Sequence, residues 1–256
     1  MNRTLDYDSM AATYDRRYEP NLFAGVERTL LDFVGSRTNG RVLEVGCGTG
    51  HWVSVLERRG FSIAGVDASR EMLRRAKERL SASAIVCGRA EQLPWKSHCF
   101  DRLVCINAFH HFLDKEAFLN EVHRVLRDGG SMMIVGLDPH TGLDQWFVYD
   151  YFETVLEFDR RRYTPTHEIR ELMRRSGFDR CNTIEAQHEP FRIPARRALE
   201  QGWVARTAVS QLATLTDADY EHGISRIQRE IEDAEARGEE LELASDLRLY
   251  ATTGAA

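Results

Sequence analysis

The densest chemistry in the chain lies between Glu44 and Gly50, in the run Glu-Val-Gly-Cys-Gly-Thr-Gly. Gly46, Gly48 and Gly50 follow directly on the short apolar run Arg41–Val45. Glycine permits positive φ and lets a ligand approach the backbone closely. The turn opens into a helix-like segment, and the first N–H groups of a helix have no partner within it. Dinucleotide-binding proteins use the same strand–turn–helix geometry. Their G-x-G-x-x-G fingerprint requires glycine at position 51, where this chain has His51. Glu44 stands just ahead of the glycines, where it can help bind an ammonium group directly or through water. Asp67 ends the next apolar run, where a carboxylate can accept hydrogen bonds from ribose hydroxyls.

A second set of polar residues follows later strand-like runs. His110 and His111 come just after Arg102–Ile106, and Asp138 and His140 just after Ser131–Leu137. The carboxyl edge of a parallel sheet is where such folds bind ligands, and a histidine can act there as general base. Structural or pocket-lining roles are the alternative for all four, so the catalytic residue stays unassigned. Trp146, Phe147, Tyr149, Tyr151 and Phe152 crowd the following segment. Trp146 and Tyr149, with Trp203 further on, are candidates to wall a substrate pocket, against core packing as the other reading. Arg160-Arg161-Arg162 is a solvated basic patch or an anion contact, and the charged stretch Ser225–Glu242 reads as a solvated helix face.

The elements that must position these residues alternate. Arg41–Val45, Ser62–Val66, Ile85–Cys87, Arg102–Ile106 and Ser131–Leu137 read as strands. Trp52–Arg59 reads as a helix stopped by Gly60, and Glu71–Leu80 as an amphipathic helix capped by Ser69. Phe118, Leu119, Val122, Val125 and Leu126 mark one face of a helix ended by Gly129–Gly130. Strands without clean alternation, each separated by a helix, imply a parallel sheet covered on both faces. Right-handed crossovers make it an α/β, doubly wound, mostly parallel Rossmann-like fold. Thr164 is expected to cap a helix ending at Gly177, and Asn182–His188 and Leu247–Thr252 to form a late antiparallel hairpin. Between those two strands, Ala195–Leu215 and Asp217–Arg237 are helix-prone.

On these residues the chain resembles the class I methyltransferase superfamily, in particular the small-molecule branch that includes quinone-biosynthesis methyltransferases. The likeness is carried by E-V-G-C-G-T-G at 44–50, V-D-A-S at 66–69 with Met72, G-R-A-E-Q-L-P at 88–94, F-D-R-L-V-C at 100–105 and V-L-R-D-G-G at 125–130. It covers roughly residues 40–137 in sequence and order. The resemblance implies S-adenosyl-L-methionine as cofactor and methyl transfer to a small-molecule acceptor by in-line displacement. It places Gly46, Cys47, Gly48 and Gly50 in the loop under the methionine part and Asp67 on the ribose. Ala68 and Met72 would pack on the adenine, Ala90 and Glu91 would flank its edge, and Asn107 would line the methionine end. Tyr14 belongs to an N-terminal helical region that would close over the cofactor. Arg89 departs from the family, which often has an acidic residue there to meet the adenine amino group. Arginine has only donors, so adenine recognition would fall to backbone groups or Glu91. The cofactor carries its own leaving group, so the protein mainly aligns and desolvates the reactants. A non-catalytic S-adenosylmethionine-binding or scaffold protein is one rival reading, and a nicotinamide-dependent oxidoreductase is a weaker one.

Bulk properties bound the rest. The chain has 256 residues, 43% of them hydrophobic and 29% charged, as expected of a globular protein. A formal net charge of −6 and a pI near 5.9 give no electrostatic reason to expect nucleic acid or an anionic membrane as partner. The first residues, MNRTLDYDSM, lack the apolar core of a signal peptide, and no apolar run is long enough to span a bilayer. Five scattered cysteines without C-x-x-C spacing argue against a disulfide framework or a metal site and fit a reducing cytoplasm. A single methyltransferase domain over 1–256 is expected. It would hold a cofactor-binding core at 40–137, an N-terminal helical cover at 1–36 and a helical insertion at 190–245, which forms either a lid over the carboxyl edge or a helical hairpin packed on the sheet's flank. Acceptor atom and oligomeric state are not legible.

Overall fold

The structure is a computed structural model, and it describes residues 23–35 and 40–256. Tyr14 and most of the expected N-terminal cover lie outside the described residues. Among those described, Ala24–Val34 forms α1, which buries Val26, Leu30 and Val34 at helical spacing.

The alternating elements expected from the sequence follow. They are β1 (Arg41–Val45), α2 (His51–Glu57), β2 (Ser62–Asp67), α3 (Arg70–Arg79), β3 (Ala84–Cys87), β4 (Phe100–Ile106), α4 (Lys115–Val125) and β5 (Leu126–Leu137). A short 3-10 turn, Phe109–His111, separates β4 from α4. Ser69 caps α3 as its position predicts: its Oγ accepts the Met72 N–H at 3.1 Å. Asp114 does the same for α4 through the Ala117 N–H at 2.9 Å. One boundary differs. α4 stops at Val125, and Gly129–Gly130 instead lie inside β5. There Leu126 pairs with Phe100 and Ser131 with Arg102, so residues 127–130 form an irregular excursion with Gly129 at φ 73°. The glycines serve a bulge, which a pattern of apolar spacing cannot distinguish from a helix stop.

Two later strands, β7 (Asp179–His188) and β10 (Arg248–Ala255), complete a seven-stranded sheet of order β3-β2-β1-β4-β5-β10-β7. The pairings among β1 to β5 are parallel, and β10 runs antiparallel to β5. The order reverses between β2-β1 and β4, so the turns after β1 and β4 leave the same carboxyl edge at the switch point where such sheets bind ligands. α7 (Thr166–Arg175) packs with this unit, burying Ile169 and Met173. Its cap is not Thr164: Pro165 holds the cap position without a side-chain bond, and Asp138 supplies the acceptor for the Thr166 N–H at 2.8 Å.

The chain divides into two compact units, the one just described (Phe23–Asp138, Tyr163–Gln187, Leu249–Ala256) and a smaller one holding Pro139–Arg162 and His188–Arg248. The smaller unit contains β6 (Gln145–Trp146), α5 (Phe147–Tyr151), α6 (Thr154–Arg162), β8 (Phe191–Pro194), α8 (Ala195–Glu200), α9 (Ser210–Ala213), α10 (Asp217–Ala236) and β9 (Glu242–Asp246). The segment expected to be a purely helical insertion is thus bracketed by strands, and β6-β9-β8 form an antiparallel sheet of their own. Those pairings join residues 48 to 101 positions apart, from Pro194 with Glu242 to Gln145 with Asp246. Local propensity carries no trace of them. The expected Ala195–Leu215 helix is broken near Gly202, whose φ of 76° no helix accommodates. The α10 expectation holds: Gly223, Ile227, Ile231 and Ala234 form its buried stripe and its charges face outward.

Candidate functional site

The glycine loop is packed tightly, and at Gly46 no space remains for a side chain. Gly46, Gly48 and Gly50 have φ of 75°, 51° and 75°, a region L side chains rarely adopt. A Cβ on Gly46 would sit 2.3 Å from the Ala108 Cβ, just past β4. The Val66 carbonyl at the end of β2 accepts N–H bonds from both Gly46 (2.8 Å) and Cys47 (3.1 Å), which ties the loop to the neighbouring strand. Gly65 permits that approach, since a Cβ there would lie 2.8 Å from the Cys47 Sγ. Sequence reasoning missed Gly65, although a lone glycine inside a strand is a signal of close backbone approach. Arg79 adds a bond from its guanidinium to the Thr49 carbonyl at 3.2 Å, for which the sequence offers no local signal.

Two carboxylates frame this loop. Asp67 Oδ2 accepts the Gly48 N–H at 2.8 Å and Oδ1 accepts the Ser69 N–H at 2.9 Å. Glu44, 1% exposed on β1, is different. Its Oε2 is buried without a hydrogen-bond partner among the described residues. A backbone hydrogen bond from Val53 lowers its pKa only partly; burial first, and the Asp67 charge second, push it well above the usual carboxylate range. Burial, the largest cause in each case, also pushes the Cys47 and Cys105 thiols up, which disfavours the thiolate.

Residues 43–134 match a family described as a methyltransferase domain. A demethylmenaquinone methyltransferase from Thermotoga maritima is 31% identical over 162 residues, which cover 54% of this chain and 70% of that protein. The chain belongs to the S-adenosylmethionine-dependent methyltransferases. Curated relatives are matched over 47% to 83% of their own length. Among solved structures, a protein assigned to methyl transfer in an antibiotic biosynthesis pathway of Anabaena variabilis has the same fold. Its TM-score is 0.68 at 21% identity, covering 89% of this chain and 96% of that one. A phosphoethanolamine N-methyltransferase of Haemonchus contortus, solved with S-adenosyl-L-methionine, gives a TM-score of 0.60 at 16% identity over 98% of this chain and 60% of that one.

The methyltransferase loop fits that cofactor by its own chemistry. A buried acid with an unpartnered oxygen is costly unless a donor or cation meets it, and the methionyl ammonium is such a group. The other residues expected at the site take varied positions. Ala68 is exposed and its carbonyl accepts a long contact from Cys87 Sγ at 3.7 Å, whereas Met72 is fully buried at the start of α3. Ala90 is buried. Glu91 accepts the Leu113 N–H at 3.0 Å and pairs with Arg89 at 3.4 Å, so Arg89 is turned toward a carboxylate. Asn107 takes φ 54° and donates its N–H to the Val135 carbonyl at 2.8 Å, a left-handed conformation that asparagine tolerates better than most residues.

Of the methyltransferase's four weak base candidates, His110 and His111 lie together, their ring centroids 3.8 Å apart. Tyr163 stacks on His110 at 4.0 Å and 24°. His110 and Tyr163 border a cavity of about 20 Å³ lined also by Ile134, Gly136, Thr166 and Tyr250, room for about one water molecule. Asp138 is buried and occupied as the cap of α7, and His140 is exposed. Trp146, Tyr149 and Trp203 belong to the smaller unit. Trp146 is buried in its core against Tyr149. The Tyr149 hydroxyl donates to Asp159 at 3.0 Å, within a buried network that also joins Arg162 and Gln211. Burial pushes the Asp159 carboxyl up against the pull of Arg162. Trp203 is half-buried on Phe191, with its indole N–H on Gln201. Among the described residues no group of histidine, cysteine and acidic side chains could hold a metal ion, and no helix is long and apolar enough to cross a membrane.

Proposed function

We propose that this methyltransferase acts on a small molecule at the carboxyl edge of the seven-stranded sheet. The observation that carries the reading is the loop after β1. An acid with a partnerless oxygen lies beneath it, a second acid closes it, and at Gly46 its backbone leaves no room for a side chain. When bound, the cofactor supplies an electrophilic methyl group on a sulfonium that is its own leaving group. Glu44 meets the ammonium end, Asp67 binds the ribose hydroxyls, and Ala68, Met72, Ala90 and Glu91 surround the adenine. Asn107 lines the methionine end. His110, held by the Tyr163 stack, receives a proton when the acceptor must lose one before attack. Asp138 is assigned to capping α7.

A small acceptor is supported by the chain's net charge of −6, which gives no reason for a nucleic-acid partner, and by the relative named for demethylmenaquinone. Isothermal titration with S-adenosylhomocysteine and with NAD, followed by turnover of labelled S-adenosylmethionine against a panel of phenols, amines, thiols and quinols, tests it. Saturable binding of the adenosyl ligand and methylation of a panel member are expected. Binding of NAD in its place would overturn the cofactor assignment. Tight cofactor binding without turnover on any acceptor, including macromolecules, would favour a binding protein.

A further inference from the structure

Glu44 is the most buried acid of the site and the least satisfied. It sits on β1, an interior strand of the sheet, with β2 and β4 on either side. The groups that face it from each packed element are few. Val53 in the first turns of α2 gives it one backbone hydrogen bond, Asp67 at the end of β2 places a negative charge near it, and Cys47 in the loop and Cys105 on β4 are thiols. None of these is a cation, and no described cationic side chain pairs with it. An ionised carboxylate in this position lacks the pairing that buried charge requires. A neutral carboxyl needs only its one acceptor bond and a place for its proton.

We propose that Glu44 carries a proton in the free protein, releases it to solvent when an ammonium-bearing ligand docks, and so selects ligands by that charge. The proposal rests on the cofactor reading given above. The balance is simple: the carboxyl O–H bond breaks, its proton goes to buffer, and the carboxylate left behind pairs with an ammonium that keeps its own protons. The direction of the Glu44 shift agrees with this, since burial and Asp67 both favour the neutral acid. Cofactor affinity then rises with pH, approaching tenfold per unit while the free-state acid is protonated. 5′-Methylthioadenosine, which has no ammonium, gains nothing from the rise.

The test is calorimetry of S-adenosylhomocysteine and 5′-methylthioadenosine in phosphate and in Tris at matched pH. The two buffers differ in ionisation enthalpy, so the difference in observed heat counts protons released. The expected result is release of close to one proton per S-adenosylhomocysteine and none for 5′-methylthioadenosine. Glu44→Gln should abolish the release and flatten the pH dependence. If that variant fails to fold, the infrared carbonyl band of a protonated carboxyl in the unmodified protein serves instead, and it should vanish on ligand addition. Binding with buffer-independent heat, or no loss of the protonated band, overturns the proposal while leaving the cofactor reading intact. Absence of any binding by S-adenosylhomocysteine overturns both.

Discussion

Replacing Gly46 by alanine tests the loop geometry directly. The new Cβ would sit 2.3 Å from the Ala108 Cβ, far inside contact distance, and the residue would hold φ near 75°. The left-handed conformation costs about 1–2 kcal/mol, and forcing a methyl into a packed contact costs about 1–3 kcal/mol more. Gly46→Ala is therefore expected to lose about 2–5 kcal/mol of stability and most cofactor affinity, because the loop must shift off β2. The clash has one identifiable partner, since the next nearest atoms, the Ala108 Cα and Phe112 Cζ, lie at 3.8 Å. Ala108→Gly removes that partner at a cost of about 0.5–1 kcal/mol in backbone entropy. The double variant should recover the clash part and keep the φ part, giving a favourable coupling of about 1–3 kcal/mol. Urea denaturation of the three variants measures it, with equal m-values as the check that two-state analysis holds. Additivity within about 0.5 kcal/mol would refute the argument that Ala108 is what excludes a side chain at 46.

Asp67→Ala removes a carboxylate that both accepts the Gly48 and Ser69 N–H groups and is assigned to the ribose. Calorimetry should show affinity weakened by about 1.5–3 kcal/mol, and an unchanged dissociation constant in a folded variant removes it from the site. Asp138→Ala should lower stability by about 1–2 kcal/mol through the lost cap on Thr166, while Asp138→Asn retains an acceptor and should restore both stability and transfer. A collapse of transfer in a fully stable Asn variant would return Asp138 to the catalytic candidates. Glu44→Gln should stabilise the free protein at neutral pH. The folded-state pKa is raised above the ordinary value of 4.5, so folding takes up a proton above that pH and stability falls as pH rises toward the folded value. The variant loses that slope, and thermal melts at pH 5 to 8 would show parallel curves if the assignment were wrong.

The residues proposed to bind the cofactor were legible because their chemistry is local. A strand feeding a glycine-rich turn, a carboxylate before it and another at the end of the next strand are fixed by neighbours a few positions away, and backbone sterics allow few other arrangements for Gly46, Gly48 and Gly50. Alternating strand and helix signals implied the doubly wound fold class for the same reason, and Ser69 capped α3 where its position predicted. Tertiary structure decided what depends on residues distant in the chain. Asp138 became the cap of a helix that starts at Thr166, displacing Thr164. Gly129–Gly130 became a bulge because β5 must keep register with β4. The sheet β6-β9-β8 joined strands that no local pattern connects. Only burial among β1, β2, β4 and α2 left one Glu44 oxygen without a partner. Its electrostatic state follows from what surrounds it in space, and sequence spacing carries no record of solvent exclusion.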